Sequence, residues 1–147
     1  MKNIPIPIEE RSKHAGATHM MEIKCTDLTQ TTANTAQLFT LADVVNGDAV
    51  SVLETELVEA FEDVSDAAFN DCAITIGDGG NAARLLASQQ LNKNGTEVFR
   101  QAGTGAFYQF TTGDTVDVTF GSMSGKSLVN LDKGKVRIYY KLERLPA

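Results

Sequence analysis

The chain has 147 residues, 42% apolar and 22% charged, with 12 Gly, 3 Pro, no Trp and a formal net charge of −6. A domain of this length buries enough apolar surface to fold without disulfides or a structural metal, and its apolar fraction is too high for a disordered chain. No apolar run approaches the ~20 residues that span a bilayer, so no membrane segment is expected.

The chain opens with Met1-Lys2-Asn3, then Ile4-Pro5-Ile6-Pro7-Ile8 and Glu9-Glu10-Arg11. No secretory apolar region precedes the charges, so the protein is expected to be made in a cytosol-like compartment. Cys25 and Cys72 then read as free, buried thiols, with one disulfide between them as the alternative. Each proline fixes its own φ and pushes its predecessor toward extended backbone. Residues 1–20 are therefore expected to form an extended N-terminal arm and linker, and 21–147 one β-sandwich domain. The apolar arm, Ile4, Pro5, Ile6, Pro7 and Ile8, needs a surface. It lies either along the protein's own sheet as an edge strand or on a neighbouring subunit. Residues 12–19 have no periodicity and read as a flexible linker, which leaves His14 and His19 outside the folded part and without metal-ligand partners.

From Met20 onward turn signals recur at short spacing. Met21, Ile23 and Cys25 alternate on one face, and Leu38-Phe-Thr-Leu is a second strand. Asn46-Gly47-Asp48 predicts a tight turn. In 50–64, Val50, Leu53, Leu57, Phe61 and Val64 recur at three and four, a helical spacing, although a strand template fits part of the run. Cys72-Ala-Ile-Thr-Ile is a strand that ends in Gly77-Asp-Gly-Gly80, a turn in which glycines are expected to supply positive φ. Ala82 to Ser88 reads as a helical turn. Asn94-Gly95 opens Thr96-Glu-Val-Phe-Arg, and Gly113-Asp114 opens a strand in which Val116, Val118 and Phe120 share a face. Lys133-Gly134 opens the last strand, where Val136, Ile138, Tyr140 and Leu142 alternate with Lys135, Arg137, Tyr139 and Lys141. At least six strands against at most two helices make the fold mainly β, a sandwich or small barrel.

Charge is segregated along this order. Residues 1–20 sum to +1, residues 21–80 carry twelve acids against Lys24 and sum to −11, and residues 81–147 sum to +4. The bases of the last segment are scattered singly through strand-like sequence, which argues against nucleic-acid binding. Opposite signs are expected to pair within the fold or between copies.

No motif carries catalysis or a cofactor. Gly121-Ser-Met-Ser-Gly125-Lys126-Ser127 has three residues between its glycines where a phosphate loop needs four, and a strand follows instead of a helix. Gly77-Asp-Gly79-Gly-Asn-Ala82, with Glu97 downstream, matches a loose dinucleotide pattern but lacks the strand–helix–strand units that go with it. The acidic run Glu54, Glu56, Glu59, Glu62, Asp63, Asp66 and Asp71 reads as a solvated face, and no Ser or Cys is marked as a nucleophile. Asp66, Asn70 and Asp71 lack the calcium-loop pattern. The expectation is a non-enzymatic protein without metal or cofactor.

The succession Val50 to Phe61, Ala73-Ile-Thr-Ile-Gly-Asp-Gly, Ala83-Arg-Leu-Leu, Asn94-Gly95, Thr115-Val-Asp-Val-Thr-Phe and Gly134-Lys-Val-Arg-Ile-Tyr-Tyr-Lys-Leu resembles small structural proteins of tailed bacteriophages, over residues 36–143. The resemblance implies an antiparallel β-sandwich of jelly-roll type and turns 50–61 toward a strand. It further implies a capsid decoration (cement) protein, often trimeric, on the capsid exterior, whose partners are the major capsid protein and further copies of itself. A tail, neck or host-adhesion module is the alternative.

Overall fold

Strict alternation of apolar and polar side chains favours half-buried strands. The two segments that alternate most regularly lie inside two antiparallel sheets in the computed structural model, which describes residues 1–66, 71–92, 100–102 and 107–144. One sheet runs β1 (Lys2–Pro5), β2 (His19–Lys24), β10 (Lys133–Glu143), β4 (Ala49–Glu62) and β7 (Arg100–Ala102), with β8 (Tyr108–Gln109) also paired to β4. The other runs β3 (Gln37–Val44), β9 (Asp114–Phe120), β5 (Ala73–Asp78) and β6 (Leu86–Gln90). The protein is thus mainly β. Asn94, Gly95 and Glu97, with the strand expected from Thr96, fall largely outside the described residues, as does Asn70.

The inner faces meet in one apolar core. Met21 and Ile23 of β2, Val136 and Ile138 of β10, Ile74 and Ile76 of β5, and Val116, Val118 and Phe120 of β9 are all fully buried. Phe120 packs its ring against Phe61, with centroids 5.4 Å apart, and edge-on against Phe39 at 5.7 Å. Each fully buried aliphatic or aromatic side chain contributes about 1.5–3 kcal/mol through lost water contact. Both cysteines are free thiols; Cys72 is buried and Cys25 half-buried. Burial pushes the Cys72 thiol up to about 12.

Residues 49–62 form a strand, and their helical spacing has a specific cause. Pairing of β4 with β10 slips between Val52 and Glu54, between Leu57 and Glu59, and between Glu59 and Glu62. An extra residue on one strand reverses which side chains face inward. Val50 and Val52 therefore face the core before the first slip, and Thr55, Leu57 and Phe61 after it. Leu53, at that slip, packs on the opposite face with Tyr139, and Val64 lies beyond the strand and is exposed. Irregular steps of two, three and four thus imitate a helix.

Turn chemistry follows two routes. Gly47 has φ 98° between β3 and β4, where Asp48 Oδ2 accepts a hydrogen bond from the Val45 N–H at 3.0 Å. At Gly77 to Gly80 the expected positive φ does not occur, since the positive-φ glycines among the described residues are Gly16, Gly47, Gly125 and Gly134. Gly77 is needed for close approach instead: a Cβ there would lie 2.1 Å from the Asn81 carbonyl oxygen. Asp78 holds this turn, accepting from the Gly80 and Asn81 N–H groups at 2.9 Å and pairing with Arg84, whose guanidinium lies 4.1 Å over the Tyr108 ring. Ala82 to Ser88 is not a helical turn, because residues 86–90 are strand β6.

The segregated charges meet across neighbouring strands. Register places Lys133 opposite Glu62, Lys135 opposite Glu59 and Arg137 opposite both Glu56 and Glu22. Arg137 donates to Glu22 at 2.9 Å and to Glu56 at 3.2 Å, Lys133 lies 3.4 Å from Glu62, and Lys126 reaches Asp63 at 3.0 Å and Asp66 at 2.7 Å. The acidic run of β4 is therefore not a freely solvated face. Burial raises the Glu22 carboxyl, but the hydrogen bond and charge of Arg137 outweigh it and hold the group below the usual range.

Candidate interaction surface

The N-terminal residues cover the outer face of the first sheet. β1 pairs antiparallel with β2 in the register Lys2↔Glu22, Asn3↔Met21, Ile4↔Met20 and Pro5↔His19. The Asn3 amide donates to the Leu41 carbonyl at 2.8 Å, and the Tyr140 hydroxyl donates to Asn3 Oδ1 at 2.7 Å. The first bond ties β1 to β3 of the opposite sheet, and the second ties it to β10 of its own sheet. After Pro7, residues Ile8–His14 form a 3₁₀ helix, followed by Ala15 and Gly16 and then β2 at His19. Residues 12–19, expected as a linker, are thus folded.

A second apolar cluster forms here, separate from the main core. Ile6, Ala17 and Tyr139 are buried together, with Met20 and Leu53 packed around them. The Ile6 N–H donates to the Thr18 carbonyl at 2.8 Å, and the Thr18 N–H to the Tyr140 carbonyl at 2.9 Å. Both histidines sit in this folded part, contrary to the expectation. His14 stacks on Tyr139 with ring centroids 4.0 Å apart and planes within 7°, and His19 stacks on Tyr140 at 5.3 Å. Burial, then the charges of Arg11 and Arg144, push the His19 imidazole below its ordinary value.

The five predicted arm residues divide. Ile6 is 7% exposed and anchors the segment, whereas Ile4 is 45% and Ile8 78% exposed. Pro5 ends β1, and Pro7 holds extended backbone (φ −55°, ψ 144°) that turns the chain into the 3₁₀ helix. Because Ile4 is paired with Met20, and Met20 with Tyr139, it continues the row of side chains that the second cluster occupies. A side chain in solvent at the end of a buried apolar row extends that row outward. Next to it lies a groove of about 230 Å³, floored by Ser51 and Leu53 and walled by Ala15, Phe107 and the Lys141–Glu143 ion pair at 2.8 Å. Phe107 is exposed.

His14 Nδ1 is 3.8 Å from Glu54 Oε1, too far for a hydrogen bond, and among the described residues no group of three or more His, Cys, Asp or Glu gathers at metal-ligand spacing. No helix among the described residues is long and apolar enough to cross a membrane. Lys126, in the Gly121 to Ser127 loop, is held by Asp63 and Asp66. Tyr139, Ala17 and Leu53 were not expected to take part. The available signal was Tyr139-Tyr140 in an alternating strand, since an aromatic on each face marks a sheet covered on both sides.

No protein-family model matches the chain, and no curated protein matches it. Among solved structures the chain is similar to one in the acidic stable capsid of Helicobacter pylori bacteriophage KHP30, with a TM-score of 0.48 and 12% identity over 87% of this chain and 92% of that one.

Proposed function

We propose that the protein is a non-enzymatic structural protein of a tailed-bacteriophage virion, which decorates the capsid exterior and strengthens it by bridging capsid subunits. The observation that carries this reading is the placement of Ile4 and Ile8, exposed on either side of the anchored Ile6. Such an edge offers a rigid apolar contact that costs little ordering entropy when it docks. Strand order supports the jelly-roll reading. Apart from β1 and the short β8, the two sheets run β2-β10-β4-β7 and β3-β9-β5-β6, so that late strands return between early ones as in paired Greek keys. In this function, copies assemble as a trimer against the major capsid protein, and expansion of the shell must first break their contacts. Stable binding of this kind needs an interface of at least about 1,000 Å².

The test is an Ile4→Ser/Ile8→Ser double variant, which keeps Ile6 and the β1 pairing. Its melting temperature is expected to stay within a few degrees of the parent while binding to particles that lack the protein is lost. Unchanged binding by the folded variant overturns the docking role. Cryo-electron microscopy of the particle then distinguishes a capsid position from a tail or neck position.

A further inference from the structure

We infer that residues 1–14 exchange between copies, so that the Ile6 of one chain fills the Ala17–Tyr139 cluster of the next. Three features of the molecule lead to this. First, the segment is hinged at Ala15 (φ 55°) and Gly16 (φ 85°), the one place among the described residues where two consecutive residues are both left-handed. An L-residue such as Ala15 holds that conformation at a cost that extended backbone would not carry. No atom lies within 4 Å of a Cβ built on Gly16, so nothing packs against the hinge at this point. Second, Ile6 packs into an apolar cluster separate from the main core, and the bonds that Asn3 makes to Tyr140 and Leu41 of the main core are ones that the Asn3 of another copy can replace. Third, nearly everything it binds lies on the folded body: Asp27 for the Met1 amino group, the Leu41 carbonyl and Tyr140 hydroxyl for Asn3, and Tyr139 for His14. A second copy presents these same partners, so exchange keeps them. What is lost is local to the hinge: the Gly16 N–H to Arg11 carbonyl bond at 2.8 Å and the Ala17 N–H to His14 carbonyl bond at 3.0 Å. Exchange of an identical element about a short strained hinge is a low-cost route to assembly.

The inference shares its segment with the proposed function, but its test uses purified protein alone, so either can fail without the other. Ile4 and Met20 are directly paired across the β1–β2 ladder, close enough for a disulfide. An Ile4→Cys/Met20→Cys variant, with Cys25→Ser and Cys72→Ala to remove the native thiols, is oxidised at high protein concentration and run on a non-reducing gel. The expected product is a covalent dimer or ring whose disulfides join the cysteine at position 4 of one chain to the cysteine at position 20 of another, identified by peptide mapping, a linkage that neither single-cysteine control can form. If the cysteines close entirely within one chain, the exchange is overturned. Gly16→Val gives a second reading without new cysteines. A β-branched residue resists the left-handed turn by enough to shift the equilibrium about tenfold toward the exchanged form, measured by light scattering. A folded but monomeric Gly16→Val protein also counts against the inference.

Discussion

Gly134 offers the sharpest test of how β4 and β10 pack. It has φ 139°, and a Cβ on it would lie 2.3 Å from Phe61 Cδ1 and 2.4 Å from Cγ. Phe61 cannot retreat, because it is fully buried and packed on Phe120. The Gly134 N–H also donates to Glu59 Oε1 at 2.9 Å, which fixes the backbone where the ladder is irregular. Gly134→Ala therefore carries two penalties: about 1–3 kcal/mol for overpacking and about 1–3 kcal/mol for an L-residue at that φ. The sum centres on about 4 kcal/mol. At about 2–4 °C per kcal/mol for a chain of this size, Tm should fall by about 8–16 °C. Urea denaturation should show a lower midpoint with an unchanged slope. Phe61→Leu removes the ring atoms in the way, so the double variant should be more stable than the sum of the two single changes by about 1 kcal/mol or more. Additivity within about 0.5 kcal/mol would refute the ring contact, and a Gly134→Ala protein as stable as the parent would refute the whole geometry.

Other changes test the charges, the histidine and the thiols. Arg137→Met leaves the buried Glu22 carboxylate with only the longer 3.9 Å pairing to Lys24 and should cost about 1–2 kcal/mol, a figure reduced because Arg137 itself is partly in water; Glu22→Gln in the same chain should recover part of it, measured by urea unfolding. His19 titrates lower in the folded protein than in the unfolded one, so the unfolded state binds more protons as pH falls below about 6.5. Stability held above that pH should decline toward pH 5, and His19→Gln should flatten that part of a plot of Tm against pH. Glu22 and Asp78 are also shifted down: burial raises both, but the Arg137 and Arg84 hydrogen bonds outweigh it, and the stability they give is present above pH ~4.5 and lost as pH falls below it. Mass spectrometry after iodoacetamide treatment at pH 8 should find Cys72 unmodified in the native protein and modified in urea, with Cys25 labelled faster than Cys72; rapid native labelling of Cys72 would contradict its burial.

How much of this was legible in the sequence depended on whether the pattern was local. β9 and β10 announce themselves, because their inward residues alternate without interruption and a dipeptide holding one glycine opens each. The turn at Asn46-Gly47-Asp48 was equally plain, since it rests on one residue's freedom at positive φ. β4 was not, because its side-chain pattern is set by slips against a partner strand some 80 residues away in sequence, and no window of its own sequence contains that partner. Gly77 was located correctly as a turn residue for the wrong physical reason: the sequence shows a glycine, and only the fold shows whether φ or an approaching carbonyl demands it.

The N-terminal segment shows the same limit from the other side. Ile4, Ile6 and Ile8 have the same chemistry and the same spacing, yet the fold buries one and exposes two. The difference lies in Tyr139, an outward aromatic on the last strand, which needs a cover and finds it in Ile6 and Ala17. Charge followed a comparable course. The imbalance between an acidic middle and a basic end left open whether opposite signs met within one chain or between two. The register of β10 against β4 and β2 closes much of that question, since Arg137 and Lys133 are satisfied by Glu22, Glu56 and Glu62 of their own chain. The charges of Arg137 and Lys133 are thereby engaged inside the sandwich, so the proposed contacts between copies rest on apolar surface. That surface is where Ile4, Ile8 and Phe107 stand in solvent, on the face the hinged segment covers.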